Sequence, residues 1–178
     1  MTTSTRDIGK YRNAELISQG GFGSVYRAVD HEHGRAVAVK VLSGRMGETE
    51  CRRFDRERQT MGRLSGHPNI VPIYDSGYTD QGEAYIVMEL ATGGSLRDRM
   101  ATTGVFRWPE AVAVMAPIAA ATQMAHDHGV LHRDIKPDNI LIDQFGNPKL
   151  SDFGIAAVAN NATATTSTTA TLAHAAPE

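Results

Sequence analysis

The stretch between residues 11 and 42 constrains the fold most, because short β-type runs there are punctuated by glycine and closed by a lysine. Ser18-Gln19-Gly20-Gly21-Phe22-Gly23-Ser24-Val25 leads into the run 24–29, a turn spans 31–34, and the run 36–41 carries Lys40 near its end. Branched and small residues between turn formers predict an antiparallel hairpin entered through a glycine loop. With no Cβ in the way, the backbone N–H groups of such a loop can approach phosphate. Neither feature is specific alone: glycine turns commonly just join strands, and lysines mostly lie at the surface.

The next segment reads as a helix, with Phe54, Glu57, Met61 and Leu64 on one face. A carboxylate therefore sits in an apolar stripe, where it must either reach the rim or meet a cation from elsewhere in the fold. The runs 70–74 and 84–90 predict two further strands. Gly93-Gly94 opens a short helix, and Ser95 with Asp98 three residues on is a capping-box pattern for its start. A longer helix is predicted from Pro109 to near Gly129, kinked or split at Pro117. Its apolar stretch 111–125 is shorter than a bilayer requires and is interrupted by Pro117, Thr122 and Gln123, so it predicts a buried helix and not a membrane span. From 155 to 176 no residue is charged and Ala, Thr and Asn dominate, which predicts a mobile loop.

Two polar clusters carry chemistry. His132-Arg133-Asp134-Ile135-Lys136-Pro137-Asp138-Asn139 packs a proton acceptor, cations and a metal-ligating amide into one loop, followed by the apolar Ile140-Leu141-Ile142; Asp152-Phe153-Gly154 adds a second carboxylate beside a glycine. The composition sets the background: 178 residues, 41% hydrophobic and 21% charged, with a net charge of -2, describe an ordinary soluble chain and give no support for a nucleic-acid or anionic-membrane partner. Cys51 is the sole cysteine, which excludes an intramolecular disulfide and suits a reducing, cytoplasmic setting. The N-terminal segment is polar, without the apolar core of a signal peptide.

In their order and spacing the glycine loop, Val37-Ala38-Val39-Lys40, His132 to Asn139, Asp152-Phe153-Gly154 and Ala176-Pro177-Glu178 resemble the eukaryotic-type serine/threonine protein kinases. His67-Pro68-Asn69-Ile70-Val71 and Tyr85-Ile86-Val87-Met88-Glu89 look like the bacterial, especially actinobacterial, members. The resemblance implies an α+β, bilobal fold: a flexible tail at 1–10, a β-rich small lobe at 11–90, and the hinge with the first part of a helical large lobe at 91–178. It implies ATP and Mg²⁺ as cofactors and protein Ser/Thr hydroxyls as acceptors. Ser18, Gln19, Gly20, Gly21, Phe22 and Gly23 would cover the phosphates, with Lys40 holding them and pairing with Glu57. Adenine would lie between Val25 and Ala38 above and Leu141 below, against the backbone of Glu89 and Ala91, with Met88 gating the space behind. Asp134 would accept the hydroxyl proton, Lys136 would stabilise the transferring group, and Asn139 with Asp152 would hold the metal. Met61, Ile73, Phe153 and His132 would form an apolar stack.

The resemblance also implies that Arg133 meets a phosphate on one of Thr163, Thr165, Thr166, Ser167, Thr168 or Thr169, and that Thr171 touches the catalytic loop. The departures are Ser18 in place of the first loop glycine, and Ala170, Leu172 and His174 around Thr171. A complete large lobe of this family needs about 80 more residues, so a bare apolar face and self-association are expected. The leading reading is a protein serine/threonine kinase. The alternative is a nucleotide-binding regulatory module without turnover, while a small-molecule kinase is disfavoured by Lys136.

Overall fold

The computed structural model describes residues 5–21 and 23–153, apart from the side chains of Arg53, Glu57 and Thr60. Phe22, the Glu57 carboxylate, Gly154, the 163–169 hydroxyl cluster, Thr171 and 176–178 thus lie outside the described residues. Six strands, β1 (Thr5–Ile8), β2 (Tyr11–Gly20), β3 (Gly23–Asp30), β4 (Arg35–Leu42), β5 (Ile73–Tyr78) and β6 (Ala84–Glu89), form one antiparallel sheet in the order β1-β2-β3-β4-β6-β5. The sequence 36–41 holds valine on one parity and small or long residues on the other, and the sheet uses both. Ala38 and Leu42 face a cluster with Ile86, Met88 and the apolar stripe Phe54, Met61 and Leu64 of α1 (Glu48–Leu64). Val37, Val39 and Val41 face a second cluster with Ile8, Tyr11, Tyr26, Tyr85 and Val87. Buried on both faces, β4 holds Lys40 rigidly.

Two strand expectations are corrected. The run 70–74 is displaced: β5 starts at Ile73, since Pro72 has no N–H for a ladder. Val71 instead donates its N–H to the Leu150 carbonyl at 3.0 Å. The N-terminal segment, expected as a flexible tail, contributes β1, whose Ile8 is fully buried and whose Arg6 pairs with Glu83.

Below the sheet lie α2 (Leu96–Thr103), α3 (Trp108–Asp127), a 3-10 turn (Pro137–Asn139) and a hairpin of β7 (Ile140–Ile142) with β8 (Pro148–Leu150). The capping box forms: Ser95 Oγ accepts from the Asp98 N–H at 3.1 Å, and the Asp98 carboxylate accepts from the Ser95 N–H at 2.9 Å. The helix α3 is not split at Pro117 but runs through it for 20 residues, and it ends where Gly129 takes φ +73°. It is also less buried than expected. Only Ile118, Ala121 and Ala125 are fully buried, with Val114 and Met124 packed partly against the core, while Trp108, Val112 and Met115 stand exposed, because α3 packs on one side only. Among the described residues no helix is long and apolar enough to cross a membrane.

Candidate active site

Strand register aims the first group of the site. In the β3–β4 hairpin Val25 stands opposite Lys40, and Ala38 is two residues before Lys40, so all three side chains leave the sheet on one face. That face roofs a cleft of about 660 Å³ between the sheet and the lower hairpin. Ser18, Gln19, Gly20, Gly21 and Gly23 line its outer roof, Met88 and Lys40 its back, Glu89 and Ala91 its edge. From below, Leu141, Lys136, Asn139 and Asp152 complete it. The structure thus brings together the sequence-predicted residues it describes, with Asp134 just beneath the floor. Leu90, Ser95, Arg97, Asp98 and Asp138 also line the cleft, and the sequence did not single them out for it.

Lys40 is 7% exposed, and a buried ammonium requires a partner. Among the described residues its partner is Asp152, whose Oδ2 lies 2.6 Å from Lys40 Nζ. Glu57, the partner that the family resemblance implies, has its carboxylate outside the described residues.

The catalytic-loop candidate is built around Asp134. Asn139 donates from Nδ2 to the Asp134 carbonyl at 2.8 Å and to its Oδ2 at 3.0 Å, and Lys136 Nζ lies 2.8 Å from the same Oδ2. Asn139's amide nitrogen is thereby committed, which turns its oxygen away from Asp134. An amide oxygen and the Asp152 carboxylate are hard donors of the kind that suit Mg²⁺. Behind them His132 is 2% exposed: its Nε2–H donates to the Ser151 carbonyl at 2.7 Å, and its Nδ1 accepts the Asp134 N–H at 3.3 Å. Burial holds its pKa below the ordinary value, so the ring is neutral at pH 7 and keeps that acceptor lone pair. Arg133 and Asp152 both take positive φ, 65° and 64°, a conformation that costs about 1–3 kcal/mol per non-glycine residue and clusters at functional sites.

The predicted apolar stack also assembles. Phe153 packs its ring 4.6 Å from that of His132, and Met61 and Ile73 join the same cluster. Met61, Ile73, Met88 and Phe153 surround a cavity of about 20 Å³ behind the cleft.

Sequence reasoning missed the long-range ion pairs. Lys149 bonds both Glu89 carboxylate oxygens, at 2.9 and 2.7 Å, and Arg97 Nε bonds Asp138 at 2.7 Å. No local pattern signals either pair, since the partners lie 60 and 41 residues apart.

The protein kinase domain family matches residues 11–178. Serine/threonine-protein kinase PknK of Mycobacterium tuberculosis is 45% identical over 149 residues, covering 84% of this chain and 13% of PknK. Serine/threonine-protein kinase PrkC of Bacillus subtilis is 41% identical over 167 residues, covering 93% of this chain and 26% of PrkC. The crystal structure of the Mycobacterium tuberculosis PknI kinase domain matches with a TM-score of 0.75 at 31% identity, over 88% of this chain and 62% of that one. The chain therefore spans a minor part of the length of these two curated relatives.

Proposed function

This chain belongs to the protein kinase domain family, and on that premise we propose that it transfers the γ-phosphoryl group of ATP to serine and threonine hydroxyls of proteins, its own included. The observation that carries the reading is the convergence, in one cleft, of a glycine turn, the buried Lys40, and Asp152, Asn139 and Lys136. Phosphoryl transfer needs little covalent help from the protein and much positioning and charge.

In this reading adenine lies between Val25 and Ala38 above and Leu141 below. The Glu89 N–H already donates to the Pro72 carbonyl at 3.1 Å, so Glu89 meets adenine through its carbonyl and Ala91 through its N–H. Lys40 holds the α- and β-phosphates, while Asn139 and Asp152 hold the divalent metal, Mg²⁺. Asp134 orients the acceptor hydroxyl and takes its proton, with the neutral His132 fixing its backbone. Lys136 sits between Asp134 and the incoming phosphoryl group. The lobe boundary falls after Leu90, with β1 and residues 11–90 as the small lobe and 91–178 as hinge and catalytic segment. The reading includes a cytosolic setting, argued from the lone Cys51.

Incubating the natural full-length protein with radiolabelled ATP, Mg²⁺ and mixed protein acceptors tests the proposal. Alkali-labile phosphoserine and phosphothreonine are expected. ATP binding with no transfer under any condition would overturn the catalytic reading in favour of a nucleotide-binding module.

A further inference from the structure

The hinge of this chain is fastened to the lower hairpin at both ends. At its far end Gly93 donates its N–H to the Ile142 carbonyl and Ile142 donates back to the Gly94 carbonyl, each at 2.9 Å. At its near end the fastening is ionic: Lys149 of β8 reaches up to Glu89, the last residue of β6, and bonds both carboxylate oxygens. The pair is largely shielded, with side chains 14% and 24% exposed. Between the two fastenings run Leu90, Ala91 and Thr92, and Leu90 and Ala91 line the nucleotide cleft.

The geometry assigns Lys149 as a positioning residue that sets the height of the hinge above Leu141, and so the width of the adenine slot. This inference rests on the nucleotide reading of the cleft. Lys149 does not line the cleft itself, so its effect passes through Glu89. Its anchor is firm, because Asp143, 4.0 Å from Lys149 Nζ, is buried and ties the β7–β8 turn together. There Asp143 Oδ1 accepts the N–H groups of Phe145 and Asn147 at 2.8 and 2.9 Å. The ammonium thus bridges a rigid turn and the end of β6. Without it, Glu89 keeps its backbone bond to Pro72, but no other described residue holds its carboxylate down toward β8.

The experiment uses the natural full-length protein and four variants: Lys149→Met, Lys149→Arg, Glu89→Gln, and the double variant Lys149→Met with Glu89→Gln. Calorimetry gives the Kd for Mg²⁺–ATP, and initial rates give KM for ATP and kcat. Wild-type protein that fails to bind Mg²⁺–ATP would sink the nucleotide reading itself, before any variant is considered. With wild-type binding established, Lys149→Met should weaken ATP binding about three- to tenfold while kcat at saturating ATP stays within about twofold, a split that a loss of overall stability does not produce. Lys149→Arg, which keeps a bidentate donor, should recover most of the affinity. Combining Lys149→Met with Glu89→Gln should cost no more than either change alone. Additive losses in that double variant, or unchanged ATP affinity in Lys149→Met, would overturn the inference while leaving the nucleotide reading intact.

Discussion

Replacing Gly23 by alanine separates what the glycine loop owes to folding from what it owes to phosphate. Gly23 takes φ +145°, and a Cβ built there would lie 2.1 Å from the Val41 carbonyl oxygen, a backbone atom in the β3–β4 ladder. Holding alanine at such a φ costs about 1–3 kcal/mol, and moving the carbonyl disturbs a ladder bond worth about 1 kcal/mol. The sum, roughly 2–4 kcal/mol, corresponds to a fall in Tm of roughly 5–15 °C for a domain of this size. A methyl group at Gly20 or Gly21 meets nothing within 4 Å. Their alanine variants should melt within about 2 °C of wild type, yet raise the KM for ATP several-fold, because the added methyl lies where phosphate would approach. Differential scanning fluorimetry and ATP titration measure both. A Gly23→Ala protein of unchanged Tm would refute the steric argument, and Gly20→Ala and Gly21→Ala proteins of unchanged KM would refute the phosphate role of the loop.

The Gly93→Ala variant puts a methyl 2.8 Å from the Ile142 carbonyl oxygen and 2.9 Å from its side chain; it should lower Tm and weaken ATP binding together, as read by fluorimetry with and without ATP. Ser95→Ala removes the acceptor that caps α2 and should cost about 1 kcal/mol in a urea titration. His132 gives a pH signature. Because its folded pKa is depressed, the unfolded chain takes up a proton below about pH 6.5 that the folded chain does not, so stability is full above that pH and falls as pH drops toward the folded value. A Tm that falls between pH 7.5 and 5.5, with the fall abolished in His132→Phe, is the expected result.

Much of this was legible from local chemistry. The capping box at Ser95 and the β3–β4 hairpin each depend on residues close in sequence, and both form as read. The cleft residues followed from motif order, which stands for a tertiary arrangement that no single motif specifies. What escaped depends on distant partners. Ile70 and Val71 look like strand, but Pro72 breaks the ladder and the lower hairpin claims the Val71 N–H. The polar β1 is held by an edge pairing and by burial of Ile8, and neither leaves a periodic trace in four residues. For α3 the apolar composition was plain, but which residues reach the core depended on what packs against it.

In the proposed reading Asp134 and Lys40 act on phosphoryl transfer and not on the fold. Single-turnover transfer from radiolabelled ATP by the full-length protein, comparing wild type with Asp134→Asn and Lys40→Met at equal Tm, tests it most directly. Rates lowered by a factor on the order of a hundred or more are expected in both variants, since each loses an interaction made with the reacting groups. Near-normal transfer by either correctly folded variant would contradict it.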